Sequence, residues 1–161
     1  MNEHEKFMKK AIAAAHESGK QGDYPIGAVI VKDGEVISVG YETLKSANDP
    51  VNGHAEIDAI RKATREILKQ PYLEGCVLYS SHEPCPMCAT AAFWAKIETI
   101  VYSVSRDDMV EQMAKKVIGK FSWRQVDIPC KEILNQGRGH IVKLIPGVLR
   151  EEGLKLFDYT V

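Results

Sequence analysis

No run of apolar residues in this chain approaches the roughly 18 that a helix needs to cross a bilayer. A helical membrane protein is excluded on that ground. The opening residues, Met1-Asn2-Glu3-His4-Glu5-Lys6, carry acids and lack the apolar core of a secretion signal. A soluble, cytoplasmic protein is the expectation. An excess of one charge is lacking too. The chain has 21 Lys and Arg against 22 Asp and Glu, a net charge of −1, so there is no overall basic field for nucleic acid. Internal repeats, low-complexity tracts and linker-like stretches are missing. With 161 residues and 45% hydrophobic content, one domain spanning residues 1–161 is predicted.

Cysteine is sparse: Cys76, Cys85, Cys88 and Cys130. Disulfides are a poor default without an export signal, and a Cys-x-x-Cys pair then reads as metal-binding or redox-active. One local charge bias stands out. From Lys115 to Arg150 eight Lys or Arg residues face only Asp127 and Glu132. A solvated surface explains such a stretch, and an anionic partner is the alternative.

Apolar periodicity marks out the elements. A helix is predicted over residues 3–18, with Gly19 as its stop. Two apolar runs, Ile26 to Val31 and Glu35 to Val39, flank Lys32-Asp33-Gly34, a hairpin signal. A polar loop covers 41–53 and a helix 54–68. A buried strand is predicted over 76–80, and Pro84 is placed at the opening of a helix that runs to about residue 95. A strand over 97–104, a helix over 105–117, a strand over 141–145 and a closing helix over 148–157 complete the pattern. Residues 120–127 carry no clear signal. Helices alternating with short strands imply a sheet covered on both faces.

Two segments carry chemistry: His54-Ala55-Glu56 and Pro84-Cys85-Pro86-Met87-Cys88. Each falls at a predicted helix start, where the partial positive charge stabilises thiolates. Cys85 and Cys88 are three apart and share one helix face. Two thiolates and one imidazole make an open zinc set with a fourth position left for solvent. Glu56 distinguishes a catalytic site from a structural one. A carboxylate there can take a proton from an attacking water and return it to the ring nitrogen and the departing ammonia. A structural zinc would need a fourth protein ligand, for which His82, Cys76 and Cys130 are available. A non-catalytic, zinc-stabilised binding module is therefore one alternative.

The two segments match the signature of zinc deaminases. Together with Pro25-Ile26-Gly27-Ala28-Val29-Ile30-Val31-Lys32-Asp33-Gly34, Asn48-Asp49-Pro50 and Leu78-Tyr79-Ser80-Ser81, they make the chain resemble the cytidine and deoxycytidylate deaminase superfamily. The resemblance runs from Phe7 to about Tyr102. It is nearest to the branch of bacterial guanine deaminases, fungal-type cytosine deaminases and tRNA adenosine deaminases. It implies an α/β fold, a three-layer α/β/α sandwich with a central five-stranded mixed sheet, and often a homodimer. It also implies one Zn²⁺ per subunit, held by His54, Cys85 and Cys88, with Glu56 as proton shuttle.

The base itself is less sharply marked. In the family the Pro-Ile-Gly segment lines the base pocket, which makes Ile26 an apolar wall. The Ala55 N–H, at a helix start, could hold a ring carbonyl. Phe93 or Trp94 could stack on a base. Glu42 departs from the asparagine that related guanine and tRNA adenosine deaminases carry near this position. Ionised, it would select a substrate edge rich in N–H donors. Asn48 is a second base contact. The loop between Pro50 and His54 carries one residue more than usual. Guanine is the first expectation, cytosine the second, and aminotriazines or pterins follow. A tRNA-specific adenosine deaminase is the alternative, weakened by Ser105-Arg106-Asp107-Asp108 after Tyr102 and by a closing helix without a basic tail.

Overall fold

The computed structural model describes residues 1–115 and 124–159. The first helix, α1 (Glu3–Lys20), opens on a reciprocal cap. Asn2 accepts from the Glu5 N–H and Glu5 accepts from the Asn2 N–H, both at 2.9 Å. It runs through Gly19 and stops at Gly22, whose φ of 86° only glycine adopts freely. The Gly22 and Asp23 amides then close on the carbonyls of Gly19 and Ser18. Gly19 serves packing instead, since a Cβ there would lie 2.7 Å from the Tyr159 ring.

Strands β1 (Gly27–Lys32) and β2 (Glu35–Tyr41) form the expected hairpin. Its turn has positive φ at both Asp33 and Gly34, a twist that matches the strands. Helix α2 (Ala55–Lys62) continues into a π-helical turn over Ala63–Ile67. Strand β3 (Cys76–His82) is two residues longer than predicted, and helix α3 is Pro86–Trp94. Pro84 does not open α3. Cys85 is extended with ψ 166°, so it is the N-cap, and Pro86 takes the first helical position.

Strand β4 (Thr99–Val104) leads to helix α4 (Arg106–Lys115). The last two residues of the predicted 105–117 helix lie outside the described residues. So do residues 120–123 of the unassigned segment, while 124–129 are irregular. A short helix that the sequence pattern did not reveal, α5 (Cys130–Asn135), follows. Strand β5 (Lys143–Ile145), helix α6 (Arg150–Leu154) and a 3₁₀ turn (Lys155–Asp158) complete the chain.

The strands form one mixed sheet, ordered β2-β1-β3-β4-β5. The β1 pairings are antiparallel, and β3–β4 and β4–β5 are parallel. Alternation along each strand divides the core into two. Val29, Val31, Tyr79 and Val101 pack under α1 and the C-terminal turn. Ala28, Ile30, Leu78 and Ile100 pack under α2, α3 and α5. This is the three-layer α/β/α sandwich that was expected.

The basic stretch is partly neutralised where it is described. Arg150 forks onto Asp108, and Lys115 pairs with Glu111. Lys116 and Lys120 lie outside the described residues.

Two glycines set the layer spacing. A Cβ on Gly27 would meet the α1 backbone at 2.3 Å, and one on Gly40 would meet the Ala55 carbonyl oxygen at 1.9 Å. Both contacts are backbone and cannot rotate away. Gly40→Ala must therefore push α2, with His54 and Glu56 at its start, off the sheet. We expect a loss of about 2–3 kcal/mol in urea unfolding and reduced zinc content. Wild-type stability in this variant would show that α2 is not seated this tightly.

Candidate active site

The site forms where two helices begin at the C-terminal ends of the parallel strands. His54 is the N-cap of α2 and Cys85 the N-cap of α3, and neither side chain makes a cap hydrogen bond to its own helix. Cys88 lies in the first turn of α3, one helical step from Cys85. The His54 Nδ1 is 3.8 Å from Cys85 Sγ and 3.6 Å from Cys88 Sγ. All three ligand atoms lie within 4.8 Å of one another. Around a tetrahedral zinc, a nitrogen and a sulfur ligand sit about 3.6 Å apart, so the triad fits the ion as it stands. Among the described residues no fourth protein ligand joins it. Cys76, Cys130 and His82, the alternatives for a closed structural site, stay outside the cluster.

The electrostatics of the triad suit metal capture. The Cys85 thiol is pulled down to about 4, first by hydrogen bonding from Cys88 and then from His54. His54 is pushed up to about 9, chiefly by its hydrogen bond to Cys85. Cys88 is held well above the usual thiol range by its bond to Cys85 and by burial. Without an ion, the neutral-pH state is a Cys85 thiolate beside an imidazolium, with Cys88 protonated.

Glu56, in the first turn of α2, is buried at 3% exposure. Its Oε1 accepts from the Ser80 hydroxyl at 3.2 Å. Burial, and then the negative charge of Cys85, push its carboxyl upward. An upward shift is the direction a carboxyl needs to act as an acid–base group.

His54, Cys85 and Glu56 open into a cavity of about 470 Å³, with Cys88 buried behind them, in the usual range for small-molecule sites. Ile26 and Glu42 line it. His82 lines it too, buried, with Nδ1 at 2.9 Å from the Ser81 hydroxyl and its ring edge-on to Phe157 at 5.3 Å. Burial pushes His82 down to about 3, so its ring is neutral at physiological pH. The C-terminal turn is held within the chain, with the Tyr159 hydroxyl 2.9 Å from His16 Nδ1.

Three expected base contacts are corrected. The Ala55 N–H, assigned to a ring carbonyl, donates to Glu42 at 3.2 Å, so Glu42 caps α2 where His54 does not. Asn48 is exposed, has a φ of 53° in a turn, and does not line the cavity. Trp94 is 70% exposed and outside the lining. Helix phase explains it: six residues past Cys88 is about 240° around the axis.

Sequence reasoning gave no site role to Glu83, Arg106, Met109 or Ile128, all of which line the cavity. Glu83 precedes the Pro84-Cys85 pair. Its Oε2 accepts from the Arg106 N–H at 2.7 Å and its Oε1 from the Cys130 N–H at 2.8 Å. These are the first residues of α4 and α5.

Comparison with known proteins agrees with this geometry. Residues 1–104 match the model of the cytidine and deoxycytidylate deaminase zinc-binding region. Guanine deaminase from Bacillus subtilis (strain 168) is 40% identical over 130 residues, 80% of each chain. A tRNA-specific adenosine deaminase from Aquifex aeolicus (strain VF5) is 42% identical over 99 residues, 62% of this chain and 64% of that one. A solved structure from work on A-to-I editing by tRNA:A34 deaminases is 32% identical. It superposes with a TM-score of 0.74 and covers 94% of this chain and 98% of that one. The chain thus belongs to the zinc-dependent cytidine and deoxycytidylate deaminase family, hydrolases that act on C–N bonds of cyclic amidines.

Proposed function

We propose that this chain is a single-domain deaminase of a small aminated base, with guanine first and cytosine second, acting in nucleobase salvage as a cytoplasmic homodimer. The observation that carries this reading is the buried Glu56 carboxyl sharing one cavity with His54 and Cys85, whose ligand atoms cluster with that of Cys88. Zinc, when bound by those three residues, supplies the Lewis acid that brings the pKa of water down to about 7. Glu56 takes a proton from the attacking water as its oxygen adds to the amino-bearing carbon. It passes that proton to the adjacent ring nitrogen. Glu56 then carries the remaining proton of the added hydroxyl to the amino nitrogen, and the C–N bond breaks as the C=O bond forms and ammonia leaves. Ser80 holds the Glu56 carboxylate in place. Ile26 supplies an apolar wall for the ring.

Guanine is favoured by the reach of the similarity. The match to guanine deaminase extends over 130 residues, against 99 for the Aquifex tRNA deaminase. Ammonia release across a panel of aminated purines, pyrimidines and triazines tests the function. Turnover of guanine supports it, and no turnover of any base by zinc-loaded protein ends it. A tRNA adenosine editor is the second reading, favoured by the 94% coverage of the A34 deaminase fold. Inosine formation in an anticodon stem-loop would establish that one.

Glu42 faces the base in this reading. It is 1% exposed and pushed up to about 8, mostly by burial. Glu42→Gln keeps its shape and replaces the carboxyl, held mostly protonated at pH 7, with an amide that cannot titrate. We expect kcat/KM for the preferred base to fall about tenfold with zinc content unchanged. An unchanged kcat/KM would remove Glu42 from base recognition.

A further inference from the structure

We propose that Glu83 is a positioning residue that fixes the outer wall of the substrate cavity relative to the metal-binding turn. The proposal rests on the deaminase reading above and adds a determinant of substrate affinity to it.

Glu83 is anchored first by the sheet. Its own N–H donates to the Val104 carbonyl at 2.8 Å, extending the β3–β4 pairing beyond His82. Its carboxylate is 9% exposed and meets two backbone N–H groups at helix starts, where such donors otherwise lack partners. Each bond is short, as expected for a charged acceptor.

The two helices it holds carry the wall that faces the metal-binding turn. Helix α4 brings Arg106 and Met109 to the cavity, and the segment leading into α5 brings Val126 and Ile128. Arg106 also pairs with Asp127, so the two pieces are tied to each other as well. The start of α4 has a local cap of its own. Ser105 and Asp108 exchange backbone and side-chain hydrogen bonds at 2.9 and 3.0 Å, and Arg150 grips Asp108. Pro129, the N-cap of α5, makes no side-chain cap bond, so Glu83 supplies the side-chain hydrogen bond at that helix start, beside the packing of Cys130, Ile133 and Leu134 in the core. One carboxylate therefore links residues 23 and 47 positions away to the turn that carries Cys85 and Cys88. Its carboxylate bonds to the Arg106 and Cys130 N–H groups and not to Glu56 or the ligand triad, so it acts on substrate affinity rather than on the proton transfers.

Glu83→Gln tests this, because an amide cannot accept from both N–H groups without turning its NH₂ towards one of them. In zinc-loaded enzyme we expect KM for the preferred base to rise about tenfold, kcat to stay within about twofold, and zinc content to hold. A fall in kcat at unchanged KM, or unchanged values of both, would overturn the proposal. Amide hydrogen exchange over residues 105–109 and 126–132 needs no substrate and should speed up about tenfold in the same variant. It decides the tether even if the parent protein deaminates none of the panel, an outcome that would count against the deaminase reading alone. Unchanged exchange overturns the tether.

If Glu83→Gln does not fold, the comparison of Arg106→Pro with Arg106→Ala replaces it. Proline is tolerated at the first helical position and deletes only the N–H that Glu83 accepts, beyond the side chain lost in both. A higher KM in the proline variant than in the alanine variant supports the proposal. Equal KM values overturn it.

Discussion

Glu56→Gln is expected to lower kcat by about a thousandfold while KM changes by less than threefold and one zinc per chain is retained. The amide keeps the volume of the carboxylate and can still accept from the Ser80 hydroxyl. What it loses is the ability to take and return a proton, and acid–base participation of this kind contributes roughly 10²–10⁴ in rate. The burial that pushes the Glu56 carboxyl up also predicts a neutral amide to be well tolerated there. The variant should therefore be at least as stable as the parent by urea unfolding. Steady-state kinetics with metal analysis checks all of this. Retention of more than a tenth of the parent kcat would show that the proton path does not run through Glu56.

Removing the metal is expected to abolish deamination completely and to lower Tm by several degrees, with both restored by stoichiometric zinc. Binding to the native state alone stabilises it by about 4 kcal/mol at a thousandfold excess over Kd. Here two helices lose the group that would gather their N-caps. The protonation pattern adds a quantitative check. His54 and Cys88 carry protons at pH 7 in the metal-free state and Cys85 does not. Zinc binding at that pH should therefore release two protons per chain, measurable with a weakly buffered indicator. Apparent affinity then falls as pH falls, and falls further below about 4, where Cys85 also takes up a proton. Cys88→Ser should show the same loss of activity without chelator. Full activity after exhaustive dialysis against a strong chelator would refute the metal requirement.

The parts of the site legible in the sequence are those whose chemistry is carried by residue type and short spacing. His54, Glu56, Cys85 and Cys88 fall within two segments, and each has few competing uses at a helix start. The hairpin was legible for the same reason, since Asp33-Gly34 adopts a turn geometry that few dipeptides take. Ala55 was misread because its bond to Glu42 spans 13 residues of loop that no periodicity constrains. Trp94 invited a base-stacking role through its aromatic side chain, whereas its phase on α3 directs it away from the cavity. The choice between Pro84 and Pro86 as the helix opener turned on the extended backbone of Cys85, which composition does not encode. The short helix α5 gave no signal, since its six residues make less than two turns of periodicity.

The 47-residue separation between Glu83 and Cys130 also bears on how the protein is made. Synthesis runs from the N-terminus, and domains begin to fold as they emerge. The hairpin, α2, β3, α3 and the three ligand side chains are all in hand by about residue 104, where the family match also ends. The wall that Glu83 closes arrives only with α5. A nascent chain can thus collect its ion through an open face before the cavity has a far side, and the last third then encloses a centre that is already loaded.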